Sequence, residues 1–226
     1  MCNLYRPTDR ERIHSRWRVQ VPDTEYLTYV APLKPGPFLT AGGVARVGQW
    51  GLIPPDSKTR RPMLGTGRPL STNNARRETV ATARTFRSAW AAGQRCLVPA
   101  DWWIEPNWTS GKHVPWKFER ADGTPWALAG IWSEWLDPES GELVASYTVI
   151  TQNCDAHPLL RQMHKPDPNA GRDEQDKRTV APIEEAEWET WLHGSVRQAE
   201  QLIRLPEEAL FRHGPADSRR QTRPLF

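Results

Sequence analysis

Between residues 95 and 151 the chain runs through five short apolar segments: 95–100, 102–105, 115–119, 126–132 and 143–151. Each is shorter than a core helix and rich in the aromatic and β-branched residues that fit a pleated surface. Asp122-Gly123 and Ser140-Gly141 mark turns between them, since these residues tolerate the tight backbone a reversal needs. Consecutive strands joined by short turns pair antiparallel. This stretch therefore predicts a sheet-based core, and helices have to fit around it.

The flanks supply those helices. Thr8-Asp9-Arg10-Glu11 reads as a capping box opening a helix to about Trp17. Residues 76–91 read as helix with Gly93 as the stop, and 184–192 and 195–203 as two further short helices. Strands are expected over 44–50 and 177–183. The segment 29–37 carries Pro32, Pro35 and Pro37 and predicts an irregular connection. Residues 54–69 and 165–176 read as loops, and loops this long are often functional. The tail from Pro206 is Arg-rich and weakly patterned, which reads as a mobile end. Antiparallel strands with peripheral helices make the fold α+β.

At 226 residues the chain fits one domain with a sizeable core. No stretch has the ~18–20 consecutive apolar residues of a membrane span, and the first residues lack a basic-then-apolar leader. These features predict a cytoplasmic protein with no membrane partner. Its three cysteines, Cys2, Cys96 and Cys154, form no C-x-x-C pair, so neither a zinc site nor a disulfide framework is indicated. Charge is uneven: residues 1–100 carry 16 Lys/Arg against 6 Asp/Glu. That half suits a polyanion, though a solvated face gives the same pattern. Most of the twelve tryptophans should be core; one or two could stack on unpaired bases.

Cys2 stands out by position. If Met1 is removed, Cys2 offers an α-amine (reference pKa near ~7.8) beside a thiol (near ~8.5). Such an aminothiol forms an imine with an aldehyde and then closes a thiazolidine ring. It could equally serve as an N-terminal nucleophile in peptide cleavage. A second-position cysteine by itself is weak evidence for either.

Four segments, in order, resemble the SOS-response-associated peptidase (SRAP) family of abasic-site processing proteins. They are Met1-Cys2, then Asn74-Ala75-Arg76-Arg77-Glu78-Thr79, then the run from Arg95 through Trp102-Trp103-Ile104-Glu105, and last Asp155-Ala156-His157-Pro158-Leu159-Leu160-Arg161-Gln162-Met163-His164. Trp50-Gly51-Leu52-Ile53-Pro54 is similar to the family's Trp-Gly segment. The resemblance implies one compact domain over 1–226, with antiparallel sheets around a partly open barrel and peripheral helices. It implies a monomer that traps abasic sites in single-stranded DNA through Cys2 in the DNA-damage (SOS) response. Such a protein is nucleoid-associated when bound to DNA, uses no metal or organic cofactor, and has an accompanying autopeptidase activity.

By the same resemblance Asn74 orients the Cys2 amine or the sugar oxygen; alone it would read as a turn or cap residue. Glu105, among aromatic residues, should have a raised pKa and act as general acid/base in opening the sugar hemiacetal. Read without the resemblance, it is an exposed strand-end Glu. His164 is assigned to the sugar oxygen, with an ordinary pKa near ~6.5; His157 is its competitor. Arg76 and Arg77 suit phosphate, and Arg6, Trp50 and Lys165 are further DNA-contact candidates. Arg60, Arg61 and Arg68 join them on charge alone.

The sequence departs from the pattern at Asn3, where Gly is common, and at Pro106, where an aromatic is common. Pro166 replaces an arginine, leaving Lys165 without that residue's planar fork. Beyond Ile183 little is recognisable. Three readings follow: a covalent abasic-site trap, a thiol peptidase, and a non-covalent single-strand DNA binder.

Overall fold

In the computed structural model, which describes residues 2–171 and 173–216, the chain order is β1 (Tyr5–Pro7), α1 (Arg10–Trp17), β2 (Pro35–Thr40), β3 (Val44–Trp50), β4 (Asn74–Arg76) and α2 (Arg87–Ala91). Then come β5 (Arg95–Asn107), β6 (Val114–Arg120), β7 (Trp126–Leu136), β8 (Leu143–Asn153), β9 (Arg178–Val180), α3 (Trp188–His193), α4 (Val196–Leu202) and β10 (Phe211–Pro215). Among the described residues no helix is long and apolar enough to cross a membrane.

Strands β2, β3, β8, β7 and β5 close into a ring, because β5 returns to pair with β2 at Leu39↔Leu97. The barrel is thus closed rather than partly open. Closure removes the exposed edges that an open sheet would present. Its pairs are antiparallel except for the β3–β8 seam, where Gln49 faces Ser146 and Trp50 faces Tyr147 in parallel.

Side-chain alternation builds two cores. Val98, Leu128 and Val149 face inward with Phe38, Trp50 and Tyr147. Their neighbours Leu97, Ala129 and Ile150 face outward, under Ile13, Trp90 and Trp191 of the helices. A two-residue period does this automatically, and it explains why these strands read as continuous apolar runs.

Two long strands, β5 and β8, outrun the barrel. β5 pairs with β7 through Ala100 and then changes partner to β6 from Trp102. That change is why the sequence reads as two runs where the structure has one strand. β8 likewise leaves β7 after Val149 and takes β4 and β9 as neighbours. Both strands run antiparallel to β7, so their extensions leave the same end of the barrel.

Several expectations are corrected. Pro35 and Pro37 lie in a true strand, because β2 pairs with β5 only from Leu39 onward and no ladder donor is lost. Residues 74–76 are strand and 77–86 a series of turns, leaving a helix only at 87–91. Thr79, Val80, Thr82 and Thr85 are β-branched and stiff at χ1, which disfavours a continuous helix. Asp9, not Thr8, caps α1, accepting from the Arg12 amide at 2.9 Å. Ser195 and Gln198 form a full capping box on α4.

The expected mobile tail is ordered through residue 216. β10 pairs with β6, and Phe211 packs 5.3 Å from Trp126 and 5.6 Å from Phe118 (ring centroids); residues 217–226 lie outside the described residues. Because Phe211 is 8% exposed, Phe211→Ala should cost about 3 kcal/mol. Urea unfolding measures this, and a loss below about 1 kcal/mol would show that the strand is not part of the core.

Candidate active site

Four segments converge at the end of the barrel where β5 and β8 emerge. Cys2 precedes β1, which lies along the β5 extension. Asn74 opens β4 on the β8 extension. Glu105 sits in β5 opposite Trp116. His164 follows a 3-10 turn that a bridge between Asn107 and Met163 ties to β5.

The Cys2 backbone is clamped. Its carbonyl accepts from Asn74 Nδ2 at 2.8 Å and from Asn73 Nδ2 at 3.3 Å. Asn73 is itself fixed, since its carbonyl accepts from Trp50 Nε1 at 2.8 Å and its Oδ1 from Ser71. Asn74 Oδ1 is buried with no hydrogen-bond partner among the described residues, which is unusual for a native amide. Sequence reasoning missed Asn73; the only signal was the doublet it forms with Asn74.

Cys2 and Glu105 are each 1% exposed. Burial pushes the Cys2 thiol far above its ordinary range, and the Glu105 charge pushes it the same way. The sequence expectation of a thiol with an accessible thiolate fraction is therefore corrected: it rests protonated. Burial also raises the Glu105 carboxyl to about 7, opposed by the positive amino terminus. A low-dielectric site disfavours the anion. Cys154, another buried thiol in this cluster, is raised by burial to about 12.

His164 Nε2 lies 3.3 Å from Glu105 Oε2 and 3.0 Å from the Arg178 carbonyl. A carbonyl only accepts, so Nε2 carries the proton and Nδ1 is the acceptor. Burial lowers the His164 pKa to about 4, so the ring is neutral at pH 7, not poised near 6.5. Its backbone sits at φ 64, an uncommon conformation for a non-glycine residue. Two contacts hold it there: the His164 amide donates to Pro106 O at 2.6 Å, and Lys177 Nζ donates to His164 O at 2.8 Å.

The competitor His157 is structural. Its Nδ1 accepts from the amides of Leu159 and Leu160, capping the 3-10 turn. Trp50 is fully buried and cannot stack on a base; it acts on the site through Asn73. Arg77 donates to the carbonyls of Ile203 and Glu200 at the end of α4, which commits its guanidinium to a helix terminus. Arg76 pairs with Asp176 at 2.8 Å, and Arg6 with Asp101 at 3.6 Å, each guanidinium about half exposed. Arg60 is tied to Gln49, while Arg61, Arg68 and Lys165 are exposed. No group of three or more metal-binding side chains converges among the described residues.

Residues 1–216 match the SOS response associated peptidase (SRAP) family. The chain belongs to that family. It is similar to the abasic site processing protein HMCES of Xenopus tropicalis, 30% identical over 138 residues. It is also similar to the abasic site processing protein YedK of Escherichia coli, 37% identical over 82 residues. These segments cover 51% and 36% of this chain, and only 38% and 36% of those relatives. A Bordetella bronchiseptica protein of known structure superposes with a TM-score of 0.84 at 32% identity, covering 96% of this chain and all of that one. A Bacteroides thetaiotaomicron structure, at TM-score 0.79 and 18% identity, covers 99% of this chain and 95% of that one and shares the fold.

The two site pKa values act oppositely on SRAP-domain stability. Glu105 loses its proton near pH 7 when folded and near 4.5 when unfolded, so between these values folding is weakened as pH rises. His164 gains its proton near 4 when folded and near 6.5 when unfolded, so between these values folding is strengthened as pH rises. Glu105→Gln should leave only the second effect. Its melting temperature then climbs more steeply with pH than wild type between 4.5 and 6.5. Parallel curves would show that Glu105 titrates normally.

Proposed function

We propose that this protein processes abasic sites by covalent capture in single-stranded DNA. Removal of Met1 gives Cys2 a free α-amine. The amine adds to the C1 aldehyde of the ring-opened sugar and loses water, giving an imine. The Cys2 thiol then adds to the imine carbon, its proton passes to the nitrogen, and a thiazolidine ring results.

One observation carries this reading: a Cys2 main chain clamped by two amides beside a buried carboxyl whose pKa is about 7. Such a group exists in both protonation states at working pH, as general acid–base chemistry requires. Protonated, Glu105 gives a proton to the sugar ring oxygen as the hemiacetal opens. Ionised, it takes the thiol proton that burial otherwise retains and hands it to the nitrogen of the closing ring. His164, neutral, holds its Nε2 proton between the Arg178 carbonyl and Glu105, which leaves Nδ1 as its acceptor. The buried acceptor Asn74 Oδ1 suits an amine N–H or a sugar hydroxyl. The basic first half of the chain suits a DNA strand. A thiol peptidase working through a thiolate–imidazolium pair is disfavoured, because both the Cys2 thiol and the His164 ring rest neutral.

Mixing the protein with a single-stranded oligonucleotide carrying one abasic site tests the proposal. A denaturing gel should show a heat-stable adduct, with the mass of protein lacking Met1 plus DNA minus one water. Cys2→Ala should form none. Glu105→Gln should slow adduct formation by roughly a hundredfold and remove the rate inflection near pH 7. Absence of an adduct with a folded, Met1-free protein would overturn the reading.

A further inference from the structure

Two residues on from Asn74, Arg76 ends β4. Side chains alternate along a strand, so Asn74 and Arg76 leave the same face. One reaches the Cys2 carbonyl and the other is half exposed. Arg77 leaves the opposite face and is committed to the end of α4, and Arg178 is only 5% exposed. Arg76 is thus the half-exposed guanidinium beside the Cys2 clamp, where a strand with its sugar at Cys2 brings a phosphate.

That guanidinium already holds an anion. Asp176 Oδ2 lies 2.8 Å from Arg76 Nη1, and Asp176 Oδ1 lies 3.2 Å from Arg178 Nη1. Arg178 is served without this carboxylate: Glu78 accepts from its Nη1 and Nη2 at 3.0 and 2.7 Å, and the Thr151 carbonyl accepts from Nη2 at 3.0 Å. Among the described residues, Asp176 is the carboxylate that Arg76 meets. Its backbone is held in place. It sits at φ 50, a conformation that aspartate tolerates better than most residues. Asp155, itself buried, fixes it there by accepting from the amides of Asp176 and Lys177, both at 2.9 Å. A carboxylate and a phosphate bind a guanidinium through the same charge-assisted pairs. With both partners half exposed, the pair is weak enough for an arriving phosphate to replace it.

We propose that Asp176 is an autoinhibitory stand-in for a DNA phosphate: it holds Arg76 in the free protein and is displaced when a strand enters. Strands that do not react are then held weakly, and lasting attachment is left to Cys2. The proposal rests on the abasic-site reading for the identity of the strand; the displacement itself needs no aldehyde.

Fluorescence anisotropy tests it with a short labelled single strand carrying one tetrahydrofuran residue, an abasic analogue that has no aldehyde and cannot react. Asp176→Asn removes the charge, keeps the shape and tolerates a positive φ, so the fold is retained. It should tighten binding roughly fivefold. In an Arg76→Gln background the same change should tighten binding by less than about twofold, because no guanidinium is left to release. Glu189→Gln, at an exposed position on α3, removes an equal charge and should change binding by less than about twofold. Weaker binding by Asp176→Asn, or no change, would overturn the proposal, since Asp176 would then steady Arg76 for the phosphate or do nothing to it. Equal tightening in both Arg76 backgrounds, or with Glu189→Gln, would also overturn it, leaving only general repulsion. If wild type forms no adduct with abasic DNA yet the Arg76-dependent tightening holds, the covalent reading fails and the autoinhibitory contact stands. An adduct without that tightening means the reverse.

Discussion

The parallel seam between β3 and β8 is the contact on which the rest of the structure depends. It is the one parallel pairing in the ring, and without it the β2–β3 hairpin has no second neighbour. Gly48 makes it possible: a Cβ there would stand 2.5 Å from the Ala145 carbonyl. The seam continues through the Gly51 amide, which donates to Tyr147 O at 2.8 Å, with Gly51 at φ 142. It thereby places the Trp50 indole under Asn73, and Asn73 with Asn74 clamps Cys2. A backbone pairing in the barrel wall is thus only a few bonds away from the candidate nucleophile.

The site stands against the folding preferences of its own residues. A carboxyl, an imidazole and two thiols are buried together, where each favours its neutral form. Burial brings Glu105 to the middle of the working pH range and takes His164 out of it. The two groups therefore divide roles that reference pKa values would have blurred: one titrates, the other stays neutral. Arg178 steadies this arrangement. Its carbonyl fixes the His164 tautomer, while its guanidinium is held by Glu78 at 2.7 and 3.0 Å and by the Thr151 carbonyl. Glu78 belongs to the same short segment as Asn74, so that segment serves the site from two directions.

Much of this was legible in the chain. The strands from 95 to 151 declared themselves because both faces of β5, β7 and β8 within the barrel are apolar. Asn74, Glu105 and His164 stood out because they lie in segments that resemble one family in order. Local pattern was weaker where tertiary contact overruled it. β2 carries prolines that a sequence reading takes as breakers, but its unpaired side tolerates them. Residues 76–86 have helical spacing but too many β-branched side chains. β10 has little pattern of its own, and is a strand because β6 offers an edge and Phe211 an aromatic pocket.

The sequence alone determined the α+β class, the run of strands, and the residue types available for chemistry at Cys2, Asn74, Glu105 and His164. Only the tertiary structure decided their states and partners. Trp50 and Arg77 look like DNA contacts in one dimension, yet one is sealed in the core and the other bound to the end of α4. Cys2 and His164 have ordinary reference pKa values in one dimension, yet burial moves both. The reason is physical: exposure and hydrogen-bond partners come from strands distant in sequence, and no local spacing encodes the dielectric around a side chain.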